Sequence, residues 1–181
     1  MICRREFLKY VTSIILITKY KSVFANNNII NYKIIAKKII LSFKKNTQTN
    51  LSLYNNINPG PLLKANMGDV LRVDFTNQLE EPTSIHWHGI KNLNKMDGVP
   101  YLTQDPIQPG ESYIYEFPLN HSGTYWYHAH FNSWKQVAKG LYGPLVIIDS
   151  KENVFDHDLV ILADDWRLNQ NFEINEQSFG S

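Results

Sequence analysis

The chain has 181 residues, of which 43% are hydrophobic and 13% aromatic, and its formal net charge is +1. That length holds one domain with a proper core plus tails. Residues 1–25 read as a removable leader; without them 13 Lys and Arg face 16 Asp and Glu, a net charge of about −3, which argues against a nucleic-acid partner.

The leader comes first in chain order. Arg4-Arg5, followed by Phe7-Leu8-Lys9, resembles a twin-arginine export signal. An apolar run over residues 11–18 follows, and Val23-Phe24-Ala25 offers a cleavage point after Ala25. The run is too short for a stable membrane span, so the expectation is an exported, periplasmic protein. The lone cysteine, Cys3, lies in this leader. The mature chain therefore has no disulfide, no thiolate metal ligand and no cysteine nucleophile.

Residues 26–31 read as a polar start, and 32–43, rich in Ile and Lys, as one long strand or two short ones. A short strand is expected over 51–54, then a sharp turn at Asn58-Pro59-Gly60-Pro61. Residues 70–75 alternate apolar and polar, the pattern of a half-buried strand. Further strands are predicted over 83–90, 112–117, 123–131 and 145–148, with a long loop over 92–110 and a helical turn or loop over 134–139. Residues 157–163 form another apolar strand pattern outside this run. Short, evenly spaced strands with Pro and Gly punctuation favour an all-β antiparallel sandwich or Greek-key barrel.

Four of the six histidines fall in two His-x-His pairs, His86-Trp87-His88 and His128-Ala129-His130. Alternation along a strand points both histidines of a pair the same way, so two such strands side by side converge four imidazoles. Imidazole suits copper, zinc, iron or nickel, and copper binds most tightly among the common divalent ions. His121 and His157 read as loop or surface residues, and Gly98, Gly110 and Gly123 as turn positions.

The surrounding motifs carry a more specific resemblance. Asn58-Pro59-Gly60-Pro61, Ile85-His86-Trp87-His88-Gly89, Met96-Asp97-Gly98-Val99-Pro100, Thr103-Gln104, Gly123-Thr124-Tyr125-Trp126-Tyr127-His128-Ala129-His130 and Gly140-Leu141-Tyr142-Gly143-Pro144-Leu145 occur in order. They resemble the first cupredoxin domain of the multicopper oxidases, the laccase-like enzymes. The resemblance covers residues 51–148 and implies a cupredoxin-like domain over 26–150. It further implies that 151–181 is a linker and the start of a second, truncated domain.

On that resemblance the two pairs supply half the ligands of a three-copper cluster that reduces dioxygen to water. His86 would bind the type 2 copper, His88 and His128 one type 3 copper, and His130 the other. Asp97 matches an acidic residue that helps deliver protons to reduced oxygen. Trp87, Trp126 and Tyr127 are expected to pack around the ligand strands. The other cluster histidines and the His-Cys-His segment of the type 1 site do not follow His130. The resemblance therefore implies a partner chain, or missing C-terminal domains, for activity on dioxygen and a reducing substrate. Phenols, cuprous ions and ferrous ions stay open as that substrate. A non-catalytic periplasmic copper-binding module and a degraded gene fragment are the alternatives.

Overall fold

The structure, a computed structural model, describes residues 28–149 and 156–179; the predicted leader over 1–25 lies outside the described residues. In chain order the elements are β1 (Ile29–Leu41), β2 (Thr49–Tyr54), β3 (Leu63–Asn66), β4 (Val70–Gln78), β5 (Ile85–His88), β6 (Ser112–Pro118), β7 (Gly123–Ala129), α1 (Ser133–Ala138) and β8 (Tyr142–Ile148). Single 3-10 turns lie at Asn94–Met96 and Glu176–Ser178.

The strands form two four-stranded sheets, in the orders β2-β1-β4-β6 and β3-β8-β7-β5. The core lies between them. Ile34, Val73, Phe75 and Tyr115 from one sheet meet Trp87, Tyr127 and Leu145 from the other, all fully buried. Strict alternation makes this possible: Leu71, Val73 and Phe75 of β4 point inward while Arg72 and Asp74 point to solvent. On that outer face Arg72 pairs with Glu116, its register partner on β6.

The all-β, cupredoxin-like sandwich is as expected, with differences in detail. Two pairings, β1 with β4 and β3 with β8, are parallel rather than antiparallel. Between the two strands of each pair the chain crosses to the other sheet and back. The first strand begins at Ile29, inside the stretch read as a polar start. The four-residue β3 carries no pattern long enough to be seen in sequence. β5 is shorter than the predicted 83–90, because Gly89, with φ +84°, turns the chain away.

The predicted strand over 157–163 is a correction. The described residues 156–163 pair with no strand, and Leu159 and Ile161 are 81% and 85% exposed. An apolar run needs backbone pairing to become a strand; this segment meets the edge strand β3 through the Asp158–Lys64 side-chain pair at 3.4 Å, not through a ladder. Further along, residues 164–179 fold back over the domain. Asp164 accepts a hydrogen bond from Tyr142, Trp166 packs on Phe43 at 4.8 Å, and Glu176 pairs with Lys139.

Helix α1 begins three residues after His130 and faces the chain just ahead of β5. Its Gln136 is 1% exposed. Thr83 Oγ1 donates to Gln136 Oε1 at 2.7 Å, and Gln136 Nε2 donates to the Pro82 carbonyl at 2.8 Å.

Candidate metal centre

β5 and β7 are neighbours, and their register places Ile85 opposite Ala129, His86 opposite His128, Trp87 opposite Tyr127 and His88 opposite Trp126. Ile85, Trp87, Tyr127 and Ala129 are fully buried in the core. By alternation His86, His88, Trp126 and His128 then share the opposite face. Burying the apolar positions is thus what presents the histidines.

Ring-nitrogen atoms of His86, His88 and His128 all lie within 4.8 Å of one another. His130 joins them just past the end of β7, its ring centroid 5.2 Å from that of His86 and 6.1 Å from that of His128. The structure thus brings the four predicted residues onto one face, three of them as a tight group. His121 and His157 are exposed and outside the group.

Hydrogen bonding fixes which nitrogen keeps the lone pair. His86 Nδ1 is 2.7 Å from the Asp97 carbonyl, and His128 Nδ1 is 2.9 Å from the Ala129 carbonyl. A carbonyl can only accept, so both Nδ1 atoms carry the proton and both Nε2 atoms keep a lone pair. His88 differs, presenting Nδ1 to His128 Nε2 at 3.3 Å. With metal–nitrogen bonds of about 2.0–2.1 Å, two ligands of one tetrahedral ion sit roughly 3.3 Å apart. A set of imidazole nitrogens converging on one face fits copper by donor chemistry.

His128 is 8% exposed. Burial pushes its pKa down to about 4; the bond to the Ala129 carbonyl opposes this, and the neighbouring His86, His88 and His130 add to it. The ring therefore stays neutral, with its lone pair available, far below neutral pH.

Asp97 meets His86 in two ways. Its carbonyl takes the Nδ1 proton, and its carboxylate oxygen Oδ1 lies 3.6 Å from the same nitrogen. The loop that carries Asp97 lies flush on β5. Gly98, with φ +75°, is required there, since a Cβ would sit 1.7 Å from the Ile85 carbonyl oxygen. Ser84 Oγ donates to the Gly98 carbonyl at 2.7 Å, closing the contact.

The aromatic residues divide. Trp87 and Tyr127 lie on the core side, whereas Trp126 lies on the histidine face, its ring 4.2 Å from His128 and 5.0 Å from His88. Tyr115, from the other sheet, has a role that the sequence did not signal. Its hydroxyl accepts the Ile85 N–H at 2.9 Å, satisfying a donor of the edge strand. The side-chain link from Gln136 to residues 82–83 was likewise unsignalled, beyond the presence of a polar residue in so short a helix.

Comparison with known proteins follows the same residues. The family model described as Multicopper oxidase matches residues 35–152. Laccase-1 of Cryptococcus neoformans var. grubii is 43% identical over 128 residues, covering 66% of this chain and 20% of its own length. Copper resistance protein A homolog of Pseudomonas syringae pv. tomato is 44% identical over 124 residues, covering 67% of this chain and 20% of its own. A crystal structure of a multi-copper oxidase from Pseudomonas thermotolerans matches with a TM-score of 0.78 at 38% identity, covering 82% of this chain and 36% of that one. The chain spans about a fifth of the length of these curated relatives.

Proposed function

Because this chain belongs to the multicopper oxidase family, we propose that it acts as the first copper-binding domain of a laccase-like oxidase, with His86, His88, His128 and His130 as metal ligands. The observation that carries this reading is the group of three imidazoles with nitrogens within 4.8 Å of one another, on one face of β5 and β7. His88 and His128, whose facing nitrogens are 3.3 Å apart, would share one type 3 copper. His86 would hold the type 2 copper and His130 the second type 3 copper. When bound in the complete site, copper supplies the one-electron couple through which dioxygen is reduced to water while a phenol or metal ion is oxidised.

This chain's own residues prepare the site. The Asp97 and Ala129 carbonyls hold two rings by Nδ1, leaving Nε2 of each as the lone-pair nitrogen. Burial keeps His128 neutral, so protons do not compete for it. The Asp97 carboxylate, 3.6 Å from His86 Nδ1, would hold and pass a proton. The remaining ligands and the type 1 site would come from the rest of a longer polypeptide or from a partner chain, with residues 151–181 leading toward it. The leader-like residues 1–25 would send the protein to the periplasm.

Calorimetric titration of Cu(II) into the full chain tests the reading. Saturable binding is expected, and His88→Ala and His128→Ala should each weaken it by more than the roughly 10–100-fold that partners outside the ligand set cost. No binding, or binding indifferent to both substitutions, overturns it. Dioxygen consumption by this chain alone with a phenol would overturn the claim that further ligands are needed.

A further inference from the structure

β5 is the least supported part of the histidine face. It is four residues long, lies at a sheet edge and pairs with β7 alone. So short a ladder leaves alignment to contacts outside the sheet. On the far side of the same face, α1 begins three residues after His130.

One buried side chain joins these two places. Gln136 accepts from Thr83 Oγ1 and donates to the Pro82 carbonyl, three and four residues ahead of His86. The Pro82 carbonyl can only accept, so the carboxamide has a single allowed orientation and both of its ends are used. Two flanking contacts join the same segments: the His130 N–H donates to the Ser84 carbonyl at 3.3 Å, and Lys135 pairs with Glu81 at 3.3 Å. Filling this space with an apolar side chain would avoid the desolvation of a carboxamide. The directional bonds act with the backbone pair of Thr83 and Ile107 to set where the chain enters β5, on the side where an apolar contact would allow it to slide.

We propose that Gln136 is a positioning residue for the histidine face, holding the chain that enters β5 so that His86 and His88 meet His128 and His130 in register. The proposal rests on the copper-binding reading for its functional meaning, but its mechanical content can be measured without metal.

The test uses the full chain with Gln136→Met, close in volume and unable to make either bond, and the milder Thr83→Val, which removes one. Two readouts are taken: Cu(II) affinity by calorimetry, and amide hydrogen exchange of the metal-free protein. Gln136→Met is expected to weaken Cu(II) binding about tenfold and to alter the Cu(II) paramagnetic resonance spectrum. Thr83→Val should do the same to a smaller degree. In both variants amides of residues 83–88 should exchange faster by a larger factor than those of β4. A lowered melting temperature with unchanged affinity, unchanged spectrum and uniform acceleration would reduce Gln136 to a packing role and overturn the proposal. If Gln136→Met does not fold, Thr83→Val decides on the same criteria. If the parent chain binds no Cu(II), the copper reading fails by itself. The exchange pattern then decides, local acceleration supporting the positioning role and uniform acceleration overturning it.

Discussion

β5 and β7 carry the same His-x-His pattern with opposite kinds of support. β7 has seven residues, is bonded on one side to β5 and on the other to β8, and leads almost directly into α1. β5 has four residues and one strand neighbour. The outcome shows in burial: His128 is buried, whereas His88 is exposed. β7 is held by a ladder on each side, whereas β5 has one ladder and relies further on contacts from other parts of the chain. Among these are the Tyr115 hydroxyl, the Ser84–Gly98 contact, the Thr83–Gln136 bond and the backbone pair of Thr83 with Ile107. Paired ligands can thus be aligned without symmetrical scaffolding.

The largest expected disturbance of this asymmetry is Trp87→Ala. It removes the fully buried anchor of β5, which packs against Tyr115 and Phe117 at 5.4 and 5.1 Å. A loss of about 3–5 kcal/mol is expected in urea unfolding. Gly98→Ala comes next: the positive φ alone costs about 1–3 kcal/mol, and the new Cβ drives the loop off the Ile85 carbonyl. Thermal unfolding should show the loss, and Cu(II) titration the displaced His86.

Tyr115→Phe leaves the buried Ile85 N–H without its acceptor, costing about 1–3 kcal/mol. Faster exchange at the Ile85 amide than at β7 amides would place that loss in the edge strand; equal acceleration would break the comparison.

A pH effect should follow from His128 on the better-supported strand. Its pKa in the folded protein, about 4, lies below the ordinary 6.5, so between these values the unfolded chain binds the extra proton. The stability contribution is complete above pH 6.5 and is lost as pH falls toward 4. Ring-proton NMR of the metal-free protein should show His128 still neutral at pH 5.5. The smallest expected change is Lys135→Ala, which deletes a partly exposed pair with Glu81 and should cost about 0.2–1 kcal/mol.

Much of this was legible in the sequence, for a local reason. Alternation in residues 70–75 and around the two His-x-His pairs is a property of consecutive residues, so the inward and outward faces could be assigned directly. β3 was not legible, because Leu63–Asn66 is four residues long and becomes a strand only by pairing with β8, some eighty residues away. Residues 157–163 failed in the opposite sense: the apolar run is present but no strand pairs with it. The contacts of Tyr115 and Gln136 were invisible because each depends on one polar atom meeting a distant backbone group or hydroxyl, which no periodicity records. Asp97 was seen as a carboxylate, whereas the structure shows its main chain to matter as well.

The oxygen that receives the His86 proton at 2.7 Å belongs to the peptide of Asp97, and its carboxylate stands farther off at 3.6 Å. Ring aim is therefore encoded in a part of residue 97 that every amino acid possesses, and charge in a part that few possess. Asp97→Asn erases the second and spares the first, so steering and proton handling at this one position can be dissected by a single-atom exchange.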